Sequence, residues 1–153
     1  MTRGHAGKAA RYIRLAAEQA GAANAWDEAA RHSENCIAIV SDSDDGLGED
    51  QAALLTAAGR CYKYAAEWRG AWRSLMLAIG LYRERGDGIG VARATIEAGS
   101  IYAPQDRLIL LVVDALDALG DADSYLEAQL LARRAALSYD EAAGWPPSGR
   151  WSW

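Results

Sequence analysis

The chain has 153 residues, a formal net charge of −5 at pH 7 and 51% hydrophobic residues, many of them alanine. This length suits a single domain that buries roughly 70% of its unfolded surface. The negative charge argues against direct contact with nucleic acid, because that binding depends on neutralising phosphates with Lys and Arg.

The N-terminal third is predicted to form two helices. Alanine is the best helix former, and proline, which breaks helices, occurs only at positions 104, 146 and 147. Apolar residues three and four apart predict a first helix over about residues 6–20 and a second that Asn24 caps and that extends to Val40. The acidic segment 41–48 predicts a loop.

Two further helices are predicted in the centre of the chain, over about residues 50–65 and 68–85. The second of these has the clearest apolar stripe, and cations near its C-terminus complement the helix dipole. The segment 86–90, Gly-Asp-Gly-Ile-Gly, then predicts a break. Three tryptophans on amphipathic faces are expected in the core: Trp26, Trp68 and Trp72.

The C-terminal segment is predicted to form three helices, the first over about residues 91–103. The second covers about 105–119 and contains the run Leu-Ile-Leu-Leu-Val-Val, 108–113. Taken alone, this run fits a buried strand equally well, but its alignment with the fourth helix, 40 residues earlier, favours a helix. Ser124 is predicted to cap the last helix, about 125–143.

An internal repeat organises these helices. Gly59 and Tyr62 recur 40 residues later as Gly99 and Tyr102. The same offset relates further pairs, Ala58 to Ala98, Ala78 to Ala118 and Gly80 to Gly120. A fixed period in this range is typical of stacked helical hairpins. We therefore predict an all-α fold, with one helical repeat domain over residues 1–144 and a tail over 145–153.

The spacing within this repeat resembles the tetratricopeptide repeat (TPR), in which Gly precedes an aromatic residue in helix A and a small Ala opens helix B. The residues that carry the resemblance are Gly59, Tyr62, Ala71 and Ala78. Trp26 and Ala29 resemble the start of another helix B, whereas Ala17 and Leu111 depart from the pattern in the first and third repeats. The resemblance implies antiparallel hairpins stacked as a short right-handed solenoid of about seven helices.

Four longer segments, 9–20, 25–32, 81–87 and 123–134, resemble the long-repeat region of large bacterial regulators. These are LuxR-type ATP-dependent transcription factors and AAA-ATPase-linked nucleotide cyclases. The resemblance implies the scaffolding or sensory part of a bacterial transcriptional regulator. The chain contains no G-x-x-x-x-G-K-[ST] loop, so nucleotide hydrolysis is not carried over.

The resemblance to TPR proteins also implies a ligand groove, lined by helix A residues that face away from helix B. Counted from the glycine position, these residues are Arg14, Glu18, Thr56, Arg60, Lys63, Tyr64, Ile96 and Ser100. With Arg11, the cations of this set would form a basic strip that clamps a carboxylate or an acidic peptide. The alternative is a set of ordinary solvated charges, and Glu18 and Ile96 weaken the clamp.

Other patterns carry less chemistry. His32 and Cys36 have the spacing of two metal ligands, but further ligands are missing nearby, and Cys61 is expected to be a small core residue. The acidic segment 42–50 does not fit a calcium loop, and Gly86-x-Gly-x-Gly90 lacks the preceding strand of a dinucleotide site. No nucleophile and base can be paired from their spacing. We therefore expect no metal, no cofactor and no catalysis.

The tail has a composition of its own, Gly-Trp-Pro-Pro-Ser-Gly-Arg-Trp-Ser-Trp over 144–153. Its aromatic residues are expected to cap the open end of the solenoid, or to dock on a neighbouring molecule and give a homodimer. A tail produced by a frameshift or truncation is the competing interpretation.

The sequence thus favours a non-catalytic module that binds a protein or peptide partner, with acidic partners suited to the basic strip. A domain that senses a small-molecule effector and a fragment of a truncated regulator are the alternatives. The longest strongly apolar run is too short to cross a bilayer, and residues 1–8 are not followed by the apolar region of a signal peptide. We expect a cytoplasmic protein without a membrane partner.

Overall fold

The computed structural model describes residues 15, 19, 22, 25–41, 48–101 and 103–142. Its six defined helices are α1 (Trp26–Ser41), α2 (Gly48–Tyr64), α3 (Trp68–Glu84), α4 (Gly88–Ala98), α5 (Gln105–Leu119) and α6 (Ser124–Ala142). No strand occurs among these residues, so the predicted all-α class is confirmed. Most of the first predicted helix, together with Asn24 and the tail 145–153, lies outside the described residues.

Each helix packs against the next along the chain, and α4 also packs against both α2 and α6. Because residues 65–67 and 85–87 are the only connections between α2, α3 and α4, these neighbours run antiparallel. The even-numbered helices therefore lie side by side in one row. The odd-numbered helices make their main contacts with this row.

Two backbone hydrogen bonds close the turn from α2 to α3. They follow the pattern in which a helix ends at a residue in the left-handed conformation. The N–H of Glu67 donates to the carbonyl of Tyr62 at 2.9 Å, and the N–H of Ala66 donates to that of Lys63 at 3.2 Å. Ala66 has a φ of 59°. The same two bonds recur 20 residues later in 82–87, where a glycine takes the left-handed position.

After each of these turns, a glycine lies against the tyrosine that precedes the turn. A Cβ added to Gly70 would lie 2.8 Å from Cδ1 of Tyr62, and one added to Gly90 would lie closer still to Tyr82. The absence of a side chain at these positions lets the tyrosine ring rest on the first turn of the next helix. The repeating unit is therefore a tyrosine, a turn and a glycine. It recurs every 20 residues, which is half the 40-residue period that the sequence suggested.

Burial follows the same 20-residue period along α2 to α5 at most equivalent positions, the exceptions being Trp72, which is half-buried, and Ala118, which is exposed. The residues that are buried at equivalent positions are Ala52, Ala92 and Val112, then Leu55, Leu75, Thr95 and Ala115, then Ala58, Ala78 and Ala98. One helix and one turn form the unit, and two units form the predicted 40-residue hairpin. Leu75, Ile79, Val91 and Leu130, each almost fully buried, anchor the core.

The predicted roles of the tryptophans and of the apolar run are partly confirmed. The run 108–113 lies in α5 and is helical, as its alignment indicated. Trp26 and Trp72 are half-buried. The core assignment of Trp68 is wrong, because 39% of this residue is exposed. Trp68 is the first residue of α3 and is not among the side chains packed against either core cluster.

The fifth predicted helix, 91–103, is shorter and begins earlier, as α4 (Gly88–Ala98). It begins earlier because the side chain of Asp87 accepts a hydrogen bond from the N–H of Gly90 at 2.8 Å, which caps the first turn. It ends at Gly99, whose N–H still donates to the helix. Pro104 therefore precedes α5 and does not end α4.

The last helix is also capped by a different residue from the one predicted. Oδ1 of Asp123 accepts hydrogen bonds from the N–H groups of Tyr125, at 3.0 Å, and Leu126, at 3.1 Å. Ser124 is itself the first residue of α6. An aspartate cap brings a full negative charge to the positive end of the helix, which favours it over a neighbouring serine.

The glycines that revealed the repeat have different roles. Gly59 lies within α2, and a Cβ there would be 2.5 Å from Cγ of Leu75, so this glycine allows α2 and α3 to pack closely. Gly99 lies at the end of α4, where its N–H donates to the carbonyl of Thr95 at 2.9 Å. The two glycines are therefore equivalent in the 40-residue repeat but have different structural roles.

We expect Ala66→Gly to stabilise the protein by about 0.5–1 kcal/mol, because it removes the cost of a side chain in the left-handed conformation. Urea unfolding followed by circular dichroism measures the change. Ala53→Gly, at an exposed position within α2, is the control and should destabilise the protein by about 1 kcal/mol. A loss of stability in both variants would contradict the left-handed geometry of residue 66.

We expect Thr95→Val to raise the free energy of unfolding by about 1 kcal/mol. The Thr95 side chain is 1% exposed, and its hydroxyl has no hydrogen-bond partner among the described residues. Valine has the same shape without this unpaired group. The matched control is Thr56→Val. No gain in stability is expected there, because the hydroxyl of Thr56 donates to the carbonyl of Ala52 at 2.9 Å. A lower melting temperature for Thr95→Val alone would show that its hydroxyl is satisfied.

Candidate ligand-binding face

The row formed by α2, α4 and α6 leaves one side of each helix free of the other helices. On α4 and the turn after it, this side carries Arg93, Ile96, Glu97 and Ser100, at the spacing of one helical face. The equivalent residues on α2 and α6 are Ala53, Thr56, Ala57 and Arg60, then Gln129, Ala132, Arg133 and Ala136. We call this surface, together with Lys63, the inner face.

The inner face is crossed by an ion pair between α2 and α4. Nζ of Lys63 lies 2.5 Å from Oε2 of Glu97, and the two side chains are only 14% and 25% exposed. The ammonium group also lies 5.4 Å from the centre of the Tyr64 ring. Partial burial strengthens such a pair because water screens it less than it screens a pair on the open surface.

Tyr64 lies at the edge of the inner face, and its ring is held by α1. The centres of the Tyr64 and Trp26 rings are 4.5 Å apart, and the rings are stacked with 30° between their planes. Tyr64 nonetheless remains 55% exposed. The stacked pair connects the end of α2 to the beginning of α1. One side of the Tyr64 ring is occupied by its contact with Trp26.

Between α4 and α6 the inner face contains an open cleft of about 370 Å³. The residues that line it are Ile96, Gln129, Ala132, Arg133 and Ala136. Arg133 is fixed at one side by a hydrogen bond from Nη2 to Oγ of Ser100, at 3.2 Å. The cleft thus combines an apolar floor with one oriented guanidinium group, an arrangement suited to a ligand that has an apolar part and a carboxylate.

The charges of the inner face are predominantly positive. Arg60 and Arg93 are exposed, and neither forms an ion pair with another described residue. Lys63 is neutralised by Glu97, the single acidic residue of the inner face. The inner face is therefore locally positive, although the whole chain carries a net charge of −5.

The structure brings part of the predicted groove together. Thr56, Arg60, Lys63, Ile96 and Ser100 all lie on the inner face. Arg11, Arg14 and Glu18 lie outside the described residues, so only the part of the predicted basic strip formed by Arg60 and Lys63 is described. The hydroxyl of Thr56 is already bonded within α2 and has no proton to donate elsewhere.

Sequence reasoning missed four polar residues of the inner face: Arg93, Glu97, Gln129 and Arg133. Arg93 and Glu97 share a helical face with Ile96 and Ser100, and extending that spacing would have found them. Gln129 and Arg133 follow Arg93 and Glu97 by an offset of 36 residues, so the 40-residue repeat did not point to them. That offset is given by the capping aspartates, Asp87 and Asp123.

Among the side chains that the structure describes, the other groups with potential chemistry are not brought together. His32 lies 3.6 Å from Glu28, the Cys36 side chain is outside the described part, and no three described His, Cys, Asp or Glu residues could hold a metal ion. Burial raises the pKa of the Cys61 thiol, so its reactive thiolate is disfavoured at neutral pH. Residues 42–47 lie outside the described part, and 86–90 form the turn before α4 and its first residues. None of the helices, over the residues described, is long and apolar enough to cross a membrane.

Comparison of the chain with protein-family models, with curated proteins and with solved structures finds no match. The resemblance to TPR proteins and to bacterial regulators therefore stays a prediction from the sequence.

We expect the Lys63–Glu97 pair to contribute about 1 kcal/mol of coupling to the stability of the protein, at the upper end for pairs with some exposure. A double-mutant cycle with Lys63→Met and Glu97→Gln measures this energy. The matched control is the pair Arg83–Asp114 at 3.0 Å, whose side chains are 42% and 56% exposed. Its coupling should be smaller and should vanish at high salt. Equal couplings would mean that the inner-face pair is as hydrated as the control.

Proposed function

We propose that this chain is a non-catalytic, TPR-like interaction module that binds an acidic peptide segment across the inner face. The observation that carries the proposal is the set of arginines Arg60, Arg93 and Arg133, one on each helix of the row. Their guanidinium groups can each form paired hydrogen bonds with a carboxylate. Regions similar to bacterial regulators suggest that the module is a scaffold or sensory part of such a protein.

The packing of the helices supports a TPR-like solenoid. Helix α4 packs on α2 and α6, whereas α1, α3 and α5 make their main contacts with this row. Such an arrangement has one layer of adjacent A helices and a second layer of B helices, and the A layer presents a continuous surface. We identify the inner face with that surface.

The composition of the inner face suits the backbone of an extended peptide. Small residues, Ala53, Ala57, Ala132 and Ala136, leave room for a main chain to approach closely. Helix axes that pack together lie about 8–10 Å apart, so α2 and α6 are about 20 Å apart. An extended chain of about six residues covers this distance at roughly 3.3 Å per residue. Each arginine is then within reach of a different part of one ligand.

An effector of low molecular mass is a second candidate, because the cleft beside Arg133 is large enough for one. Its volume of about 370 Å³ is at the lower end of the range for small-molecule sites. A small carboxylic acid would use Arg133 and Ile96 without reaching α2. This confinement to one end of the inner face distinguishes it from a peptide.

We expect Arg93→Ala and Arg133→Ala each to weaken the binding of an acidic peptide about tenfold, because each removes a charge-assisted hydrogen bond. The probe is a fluorescein-labelled peptide of alternating Glu and Ala, about eight residues long, and its anisotropy reports binding. Affinity should also fall as salt is raised.

The matched control is Arg107→Ala, an exposed arginine on α5 that lies outside the inner face. Its affinity for the peptide should equal that of the parent protein. Equal losses in all three variants would indicate non-specific attraction and would contradict the proposed face. Loss with Arg133→Ala alone, accompanied by a thermal shift with small carboxylic acids, would favour the effector-binding function.

A further inference from the structure

Helix α6, the last described helix, has a side made mainly of alanine and leucine that no described helix covers, bordered by Glu127 and Arg134. The aspartate caps align α4 with α6 at an offset of 36, so Ala92 and Thr95 correspond to Ala128 and Leu131. In α4 these residues are 0% and 1% exposed. In α6, Ala128 is exposed and Leu131 is 46% exposed. The difference arises because α5 follows α4 on this side, while no described helix follows α6.

We define the end face as Ala128, Leu131 and Ala135, with Tyr125 at its N-terminal end. These residues recur at three and four positions, which places them along one side of the helix. Tyr125 is 71% exposed, and Ala135 is exposed. The end face is distinct from the inner face, whose residues on α6 are Gln129, Arg133 and Ala136. An occupant of the end face therefore leaves the ligand-binding residues accessible.

We propose that the end face is covered by residues 145–153 of the same chain, with tryptophan side chains packed against Leu131. The described part of α6 extends to Ala142, and the sequence places two prolines, which disfavour helix, at 146 and 147. From Ala142 back to Leu131 is about 16 Å along the helix, at 1.5 Å per residue. Residues 143–151, fully extended, reach about 30 Å, so Trp151 can return to this point.

The chemistry of the two surfaces matches. Three of the nine residues from 145 to 153 are tryptophan, and the only charged side chain among them is Arg150. A buried tryptophan removes roughly 150–250 Å² from water, which is a large area for so short a segment. The small Ala128 and Ala135 on either side of Leu131 leave space into which a flat ring fits. The proposal does not rest on the ligand-binding function.

The test is NMR of the indole N–H groups in the full chain, with the signals of Trp151 and Trp153 assigned through Trp151→Phe and Trp153→Phe. Docking should move at least one of these signals away from its position in a free peptide of residues 143–153. Leu131→Glu should return it to that position, because the end face then carries a charge. Leu110→Glu, at an exposed leucine of α5, is the matched control and should leave it unchanged.

Removal of residues 145–153 should lower the melting temperature by about 3 °C, and Leu131→Glu should have little further effect in the shortened chain. This comparison remains informative if Leu131→Glu destabilises the full chain. Indole signals at the free-peptide positions in the full chain would overturn the proposal. So would docked signals that appear only as the light-scattering mass doubles, because a second copy would then supply the tryptophans.

Discussion

A left-handed residue ends the helix and reverses the chain twice, at 62–67 and at 82–87. In each case a tyrosine that precedes the turn rests on a glycine in the next helix. These contacts bring consecutive helices close together in antiparallel pairs, and the buried positions then recur every 20 residues. The placement of α4 beside α2, and hence that part of the inner face, depends on this repeated reversal. A side chain at Gly70 or Gly90 would displace the tyrosine ring and separate the helices.

The helical class and most boundaries were predictable because alanine-rich segments with apolar residues three and four apart favour few alternatives. The exposure of Trp68 was not predictable, because periodicity indicates which side of a helix a residue lies on and not whether another element covers that side. The cap of α6 was missed for a related reason. Asp123 and Ser124 are both good caps, and only the structure shows which carboxylate or hydroxyl faces the free N–H groups.

The candidate site was predictable only in part. The family pattern led to Arg60, Lys63 and Ser100, whereas Arg133 depended on an offset of 36 that differs from the repeat. The pairing of Lys63 with Glu97 could not be inferred, because the two residues are 34 positions apart on different helices. That pairing removes one cation from the surface and leaves Arg60, Arg93 and Arg133 as the groups that distinguish the inner face from the acidic remainder.

Helix α4 lies between α2 and α6 and contacts both, whereas α2 and α6 make their main contacts with the odd-numbered helices. The separation of Arg60 from Arg133 is therefore set by the odd-numbered helices as well as by α4. One buried cluster joins Leu55 of α2, through Ala92 of α4, to Leu130 of α6. A shift of any one of these three helices is therefore transmitted through shared core contacts to the spacing of the three arginines.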